Sequence, residues 1–149
     1  MMVKFLLDRM LGQTAKWLRL MGIDAEYPEE DIPDEELLEK AREDDRVLVT
    51  RDKELGDKEG AFLVSKRPPQ ELIKIILENY EVDIDPMTRC SKCNSKVEEI
   101  EKDEVEGEVP DGIFERKEKF WRCKGCGQIY WKGSHWLEIL KTIDEIKGE

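Results

Sequence analysis

Two Cys-x-x-Cys pairs, Cys90-Ser91-Lys92-Cys93 and Cys123-Lys124-Gly125-Cys126, constrain this chain more than any other feature. Each short turn presents two thiolates on one side, and two such turns supply the four soft ligands of a tetrahedral zinc site. Gly127 follows the second pair, and 29 residues separate Cys93 from Cys123. That spacing fits a zinc ribbon whose two knuckles each cap a hairpin. A redox dithiol is the competing reading of one pair, and iron suits the same four-thiolate shell. Lone His135 reads as structural, because four thiolates already fill the shell. Residues 1–86 contain no cysteine, so the chain divides into a cysteine-free part over 1–86 and a ribbon module with a terminal helix over 87–149. A module of about 60 residues has little core of its own and commonly needs its metal to fold.

The first part reads as α/β. Val3-Lys4-Phe5-Leu6-Leu7-Asp8 and Val47-Leu48-Val49-Thr50-Arg51-Asp52 are short apolar runs that each end in a carboxylate, the signature of buried parallel strands. Leu11, Ala15, Trp17, Leu18 and Met21 follow the first run at helical spacing, with Gly22 placed to close that helix. A short strand is expected over 25–27. Asp34 then stands as N-cap of a helix through Leu37, Leu38 and Ala41, with Glu35 and Glu36 in its first turn. A fourth strand over 61–64 precedes a helix opened by Pro68-Pro69, with Leu72, Ile75, Ile76 and Tyr80 as its buried face. Right-handed crossovers then predict an open, mostly parallel sheet of order 2-1-3-4 flanked by helices. Its switch point lies between the first and third strands and brings Asp8 beside Asp52. A terminal helix from Ser134 is expected to bury Trp136, Leu137, Leu140, Ile143 and Ile146.

Charge narrows the function. The net charge of −11 disfavours a general polyanion binder, since nucleic-acid surfaces are normally basic. The distribution is uneven: 13 cations stand against 22 acids over residues 1–86, but six against two over residues 113–133. That second stretch holds Arg116, Lys117, Lys119, Arg122, Lys124 and Lys132 together with Trp121, Tyr130 and Trp131. Such residues could neutralise and stack single-stranded RNA, or the aromatics could simply pack the ribbon. Arg19 and Arg51 could contact phosphate, although arginines at helix and strand ends more often pair with nearby acids.

Asp8, Asp34 and Asp52 can converge in a sheet of the expected order. Three carboxylates in one place need a cation, and hard oxygen ligands suit magnesium or manganese, ions that activate water and orient phosphate. In a chain with 36 acids the plain alternative for any one of them is a solvated surface charge, and for Asp34 a cap. Metal-dependent phosphodiester hydrolysis is the chemistry these residues point to.

Phe5-Leu6-Leu7-Asp8, Leu11-Gly12, Trp17-Leu18-Arg19 with Gly22 and Asp24, and Val47 to Asp52 together resemble the Mut7-C ribonuclease domain, a branch of the PIN-like nucleases. The second half resembles the zinc ribbon often attached to it, through the two cysteine pairs and Tyr130-Trp131-Lys132-Gly133-Ser134-His135. The resemblance implies a PIN-like fold that binds divalent metal through Asp8, Asp34 and Asp52 and cuts RNA. It also implies a further acid before Asp34, where this chain offers only the Glu29-Glu30-Asp31 loop; Glu35, Glu36 and Asp57 are the substitutes at hand.

Two other readings stand beside this one. The acidic first part could be a catalytically inactive scaffold that binds RNA or a protein, which the net charge favours. A phosphatase-like hydrolase would want a second Asp two residues after Asp8, where the chain has Met10. The N-terminus lacks the pattern of a signal peptide and no run is long enough for a membrane span, so a cytoplasmic protein is expected.

Overall fold

The computed structural model describes residues 3–148. Strands β1 (Phe5–Leu7), β2 (Ala25–Glu26), β3 (Val47–Thr50) and β4 (Ala61–Leu63) form one parallel sheet in the order β2-β1-β3-β4. The unbroken apolar runs have a direct cause: both faces of this sheet are covered, and alternation sends successive side chains to opposite cores. Phe5, Leu7 and Val49 join the larger core with helices α1 (Gly12–Leu20) and α4 (Pro69–Asn79). Leu6 and Leu48 face the other way, onto Leu37, Leu38 and Ala41 of α2 (Asp34–Glu43) and Leu55 of the single-turn α3 (Lys53–Gly56). Tyr80 stands edge-on to both Phe5 and Phe62, at 5.5 and 5.3 Å between centroids.

Some local expectations shift. Helix α2 begins at Asp34 itself and Pro33 occupies the cap, so Asp34 makes no capping hydrogen bond and is exposed. In α4 it is Ile73, not Ile75, that joins Leu72 and Ile76 in the fully buried set. Gly22 does close α1, with φ +84°, and a Cβ there would lie 2.2 Å from the Asp85 carbonyl oxygen. The segment at 83–88 is therefore docked on the end of α1, where the Asp85 amide also donates to the Met21 carbonyl at 2.9 Å.

The second half contains an antiparallel sheet of β5 (Val97–Ile100), β6 (Phe120–Cys123) and β7 (Ile129–Tyr130), with β6 central. An antiparallel bridge between Arg89 and Lys96 flanks the first cysteine turn, and the second joins β6 to β7, so both turns cap hairpins as expected. Between β5 and β6 the chain makes a 3-10 turn at Lys102–Val105 and a short helix α5 (Asp111–Arg116). Val105, Val109 and Phe120 are buried together there as a small third core.

The terminal helix α6 (Ser134–Lys147) does not serve the ribbon alone: Ile143 and Ile146 are buried in the larger core against α4, with Ile139 packed beside them. Leu137, expected on the buried face, is 71% exposed. The stripe that packs is 139-143-146, and Leu137 falls outside it. No helix among the described residues is long and apolar enough to cross a membrane.

Candidate active site and metal centre

In a parallel sheet the carboxyl ends of the strands share one edge, and ligands of open α/β sheets bind there. Asp8 directly follows β1 and its amide donates to the Val49 carbonyl of β3 at 3.1 Å. Asp8 is 7% exposed, and its carboxylate accepts three hydrogen bonds. Its Oδ1 accepts from the Met10 amide at 3.0 Å, capping the 3-10 turn at Arg9–Leu11. Its Oδ2 accepts from the Thr50 hydroxyl at 2.7 Å and from the Arg51 amide at 3.3 Å. The Thr50 hydroxyl in turn accepts from the Asp52 amide at 3.1 Å. Asp8 and Asp52 are thus tied to one buried hydroxyl at the switch point. Sequence reasoning assigned nothing to Thr50, and the signal available was a small hydroxyl residue placed between a buried strand and its terminal acid.

Asp52 is also the N-cap of α3, where its Oδ1 accepts from the Leu55 amide at 3.0 Å. A carboxylate offers about four acceptor positions. Three are taken on Asp8 and one on Asp52, and Asp34 makes no hydrogen bond or ion pair among the described residues. The donor chemistry suits a hard divalent ion. Asp34 opens α2, which follows β2 in the chain, and no hydrogen bond or ion pair among the described residues joins it to Asp8 or Asp52. The intervening loop is fastened through Arg9: Arg9 donates to the Glu29 carbonyl at 3.0 Å and Tyr27 donates to the Arg9 carbonyl at 2.5 Å. Glu35 and Glu36 are exposed beside Asp34, while Asp57 closes the far end of α3. No three carboxylates are gathered among the described residues as tightly as the cysteines are.

The four thiols form the compact cluster. Their sulfurs all lie within 4.8 Å of one another, with Cys90 and Cys126 at 3.7 Å and Cys93 and Cys123 at 3.3 Å. A tetrahedron with zinc–sulfur bonds of about 2.3 Å has edges of about 3.8 Å, so the cluster is already close to metal dimensions. The amides of Gly125 and Cys126 donate to the Cys123 sulfur at 3.3 and 3.4 Å, and the Tyr130 hydroxyl lies 2.9 Å from the Cys90 sulfur. A Cβ on Gly125 would sit 2.3 Å from the Ser95 hydroxyl, so the second knuckle has no space for a side chain. Burial opposes ionisation of Cys93, but hydrogen bonds from Ser95 and the neighbouring thiols prevail and bring it down to about 6. A backbone hydrogen bond near Gln128 favours the Cys126 thiolate, yet burial and the other three sulfurs push that group up to about 11. Burial and the contact with Cys90 also raise the Tyr130 phenol. Crowded thiols that cannot all ionise alone are the electrostatic counterpart of a bound dication, which would ionise every one of them.

The first knuckle is locked to the sheet by residues whose tasks the sequence left open. Arg19, expected at phosphate, is 6% exposed and donates to the Ala25 carbonyl at 2.7 Å and to the Ser91 and Lys92 carbonyls at 3.2 and 3.1 Å. Burial lowers its basicity, and it faces the protein interior. Asn94 adopts φ +71° in the knuckle and is 3% exposed. Its amide accepts from the Ala25 amide at 3.0 Å and donates to Asp24 at 2.7 Å, so it satisfies the free edge of β2.

The expected RNA contacts separate into groups. Arg116, Lys117, Tyr130, Trp131 and Lys132 line one cleft of about 1250 Å³. Arg122 pairs with Glu108 at 2.9 Å and Lys124 with Glu98 at 3.5 Å, while exposed Lys119 makes neither kind of contact among the described residues. Trp121 holds Lys132 over its ring at 5.2 Å, and Trp131 stands edge-on to Phe120 at 6.4 Å. Arg51 is half-buried at the acid edge. His135 is exposed, 3.6 Å from Glu138.

Compared with known families, residues 3–143 match the family described as the Mut7-C RNAse domain. No curated protein matches the chain.

Proposed function

Since the chain belongs to the Mut7-C RNAse domain family, we propose that it is a metal-dependent ribonuclease that hydrolyses RNA phosphodiester bonds at the edge holding Asp8, Asp34 and Asp52, with a structural zinc in the ribbon. The observation that carries this reading is the hydrogen-bonded tie from Asp8 through Thr50 to Asp52 at the switch point of the parallel sheet. A carboxylate clamped by three donors is held in one orientation, which is what a ligand to a catalytic ion requires. Asp52 keeps one oxygen without a protein donor, and exposed Asp34 has both free. A magnesium or manganese ion bound there would supply a more acidic water and neutralise charge on the phosphate. The chain's own residues orient the acids and, through Arg51, offer a cation beside them. Cys90, Cys93, Cys123 and Cys126 would hold zinc with no position left for substrate, so the ribbon contributes shape and RNA contacts, with single-stranded RNA as the expected substrate.

The test is cleavage of labelled single-stranded RNA by the zinc-loaded chain with and without added manganese. Asp8→Asn and Asp52→Asn are each expected to lower the metal-dependent rate at least 100-fold while circular dichroism stays unchanged. Full activity in either folded variant would remove the basis for the reading. A second reading, an RNA-binding scaffold without activity, is favoured by the capping hydrogen bonds of Asp8 and Asp52, which give both acids a structural reason to be there. Binding with no cleavage at any manganese concentration would establish it instead.

A further inference from the structure

The cleft of about 1250 Å³ lies where five segments meet: α1, the run into the first knuckle, α5, β7 and α6. Its charge runs against that of the molecule. Lys16, Arg89, Arg116, Lys117 and Lys132 line it with Glu138 as the one acid, in a chain whose net charge is −11. Lys16, Lys117 and Lys132 form no ion pair among the described residues, whereas Arg89 leans on Asp24 at 3.6 Å. Half-buried Trp17, Trp131 and Trp136 supply the walls. Lys132 is fixed between two indoles, 5.2 Å from the Trp121 ring and 5.4 Å from that of Trp136.

Building on the ribonuclease reading, we propose that this cleft is the binding track for single-stranded RNA, holding more than one nucleotide, with Lys16, Lys117 and Lys132 on phosphates and Trp136 stacked against a base. Three features select that ligand. Unpaired cations concentrated on an otherwise acidic protein mark a polyanion. Half-buried tryptophans beside them suit unstacked bases, which a duplex does not offer. The volume exceeds the roughly 300–1,000 Å³ of ordinary small-molecule pockets, which favours a polymer segment over a lone metabolite. One wall of the cleft follows the acids in the chain: α1 comes after the 3-10 turn that Asp8 caps, and Lys16 lies four residues, about 6 Å, along the helix from its first residue.

The experiment measures binding of a fluorescent eight-nucleotide oligouridine to the zinc-loaded full chain carrying Asp52→Asn, with no added divalent ion, over a series of salt concentrations. Lys16→Glu and Lys132→Glu are each expected to weaken binding at least fivefold and to reduce the salt slope by about 0.7. Trp136→Ala is expected to weaken it about tenfold. Lys58→Glu, on the turn before β4 and outside the cleft, should stay within about twofold of the parent, which separates a local site from general electrostatics. Unchanged affinity in both lysine reversals, or competition by polyglutamate or duplex RNA as strong as that by oligouridine, would overturn the proposal. If the cleft variants lose binding while the unmodified chain never cuts RNA with manganese present, the track stands and the catalytic reading falls. If Asp8→Asn abolishes cleavage but the cleft variants bind normally, the reverse holds.

Discussion

Asn94 joins the metal module to the sheet, and replacing it by Ala tests whether that joint is energetically real. Three losses combine. The Ala25 amide, on a residue with no exposure, loses its acceptor, and an orphaned buried amide costs about 1–3 kcal/mol. Asp24 loses a donor but retains Arg46 at 2.6 Å, so the second loss is about 1 kcal/mol. Ala at φ +71° meets the left-handed penalty that Asn tolerates, about another 1 kcal/mol. The expected destabilisation is about 3–5 kcal/mol, a fall in Tm on the order of 10 °C for a chain of this length. Asn94→Gly, which removes the left-handed penalty but not the other losses, should be about 1 kcal/mol milder. Urea unfolding of the zinc-loaded protein gives the free energies, and hydrogen exchange at the Ala25 amide reports the joint itself. A change below about 1 kcal/mol with the Ala25 amide equally protected would refute the reasoning.

Thr50→Val removes the donor to Asp8 and the acceptor for the Asp52 amide while preserving strand shape. It should cost about 2–3 kcal/mol and depress metal-dependent cleavage, with Thr50→Ser restoring most of both in unfolding and rate assays. Asp24 provides a pH prediction. Burial favours its neutral form, but Arg46 and Asn94 override this and hold the carboxyl below its ordinary value near 3.8. Its contribution to stability is therefore complete above that value and is lost as pH falls through the lower folded one. The stability gap between the native protein and Arg46→Met should be widest above pH 4 and close on further acidification, as followed by urea midpoints. Chelation of a metal loaded onto the four cysteines should unfold the β5–β7 sheet and lower Tm. Reloading zinc at pH 7 should release protons, measurable by calorimetry in buffers of different ionisation enthalpy, because thiols such as Cys126 are protonated without it.

Local chemistry made much of this protein legible from its sequence. Two Cys-x-x-Cys turns determine a four-thiolate cluster because the ligand geometry is built into each tetrapeptide, and the fold brings those sulfurs together. Apolar runs ending in Asp8 and Asp52 determine buried parallel strands, and handedness then leaves the order β2-β1-β3-β4. What the tertiary structure alone decided are partnerships between distant segments. Arg19 looks like any helix-end cation until the first knuckle folds over it. Asn94 looks like a turn residue until β2 needs an edge partner. Ile143 and Ile146 show a helical stripe in the sequence, but only packing assigns that stripe to the core of the first sheet. The charge balance of residues 113–133 marks one side of the basic cleft in the sequence, but nothing there announces Lys16, more than a hundred residues from Lys132, as part of the same cleft. Periodicity and ligand spacing are properties of a few consecutive residues; which surfaces then cover one another depends on the whole chain being folded.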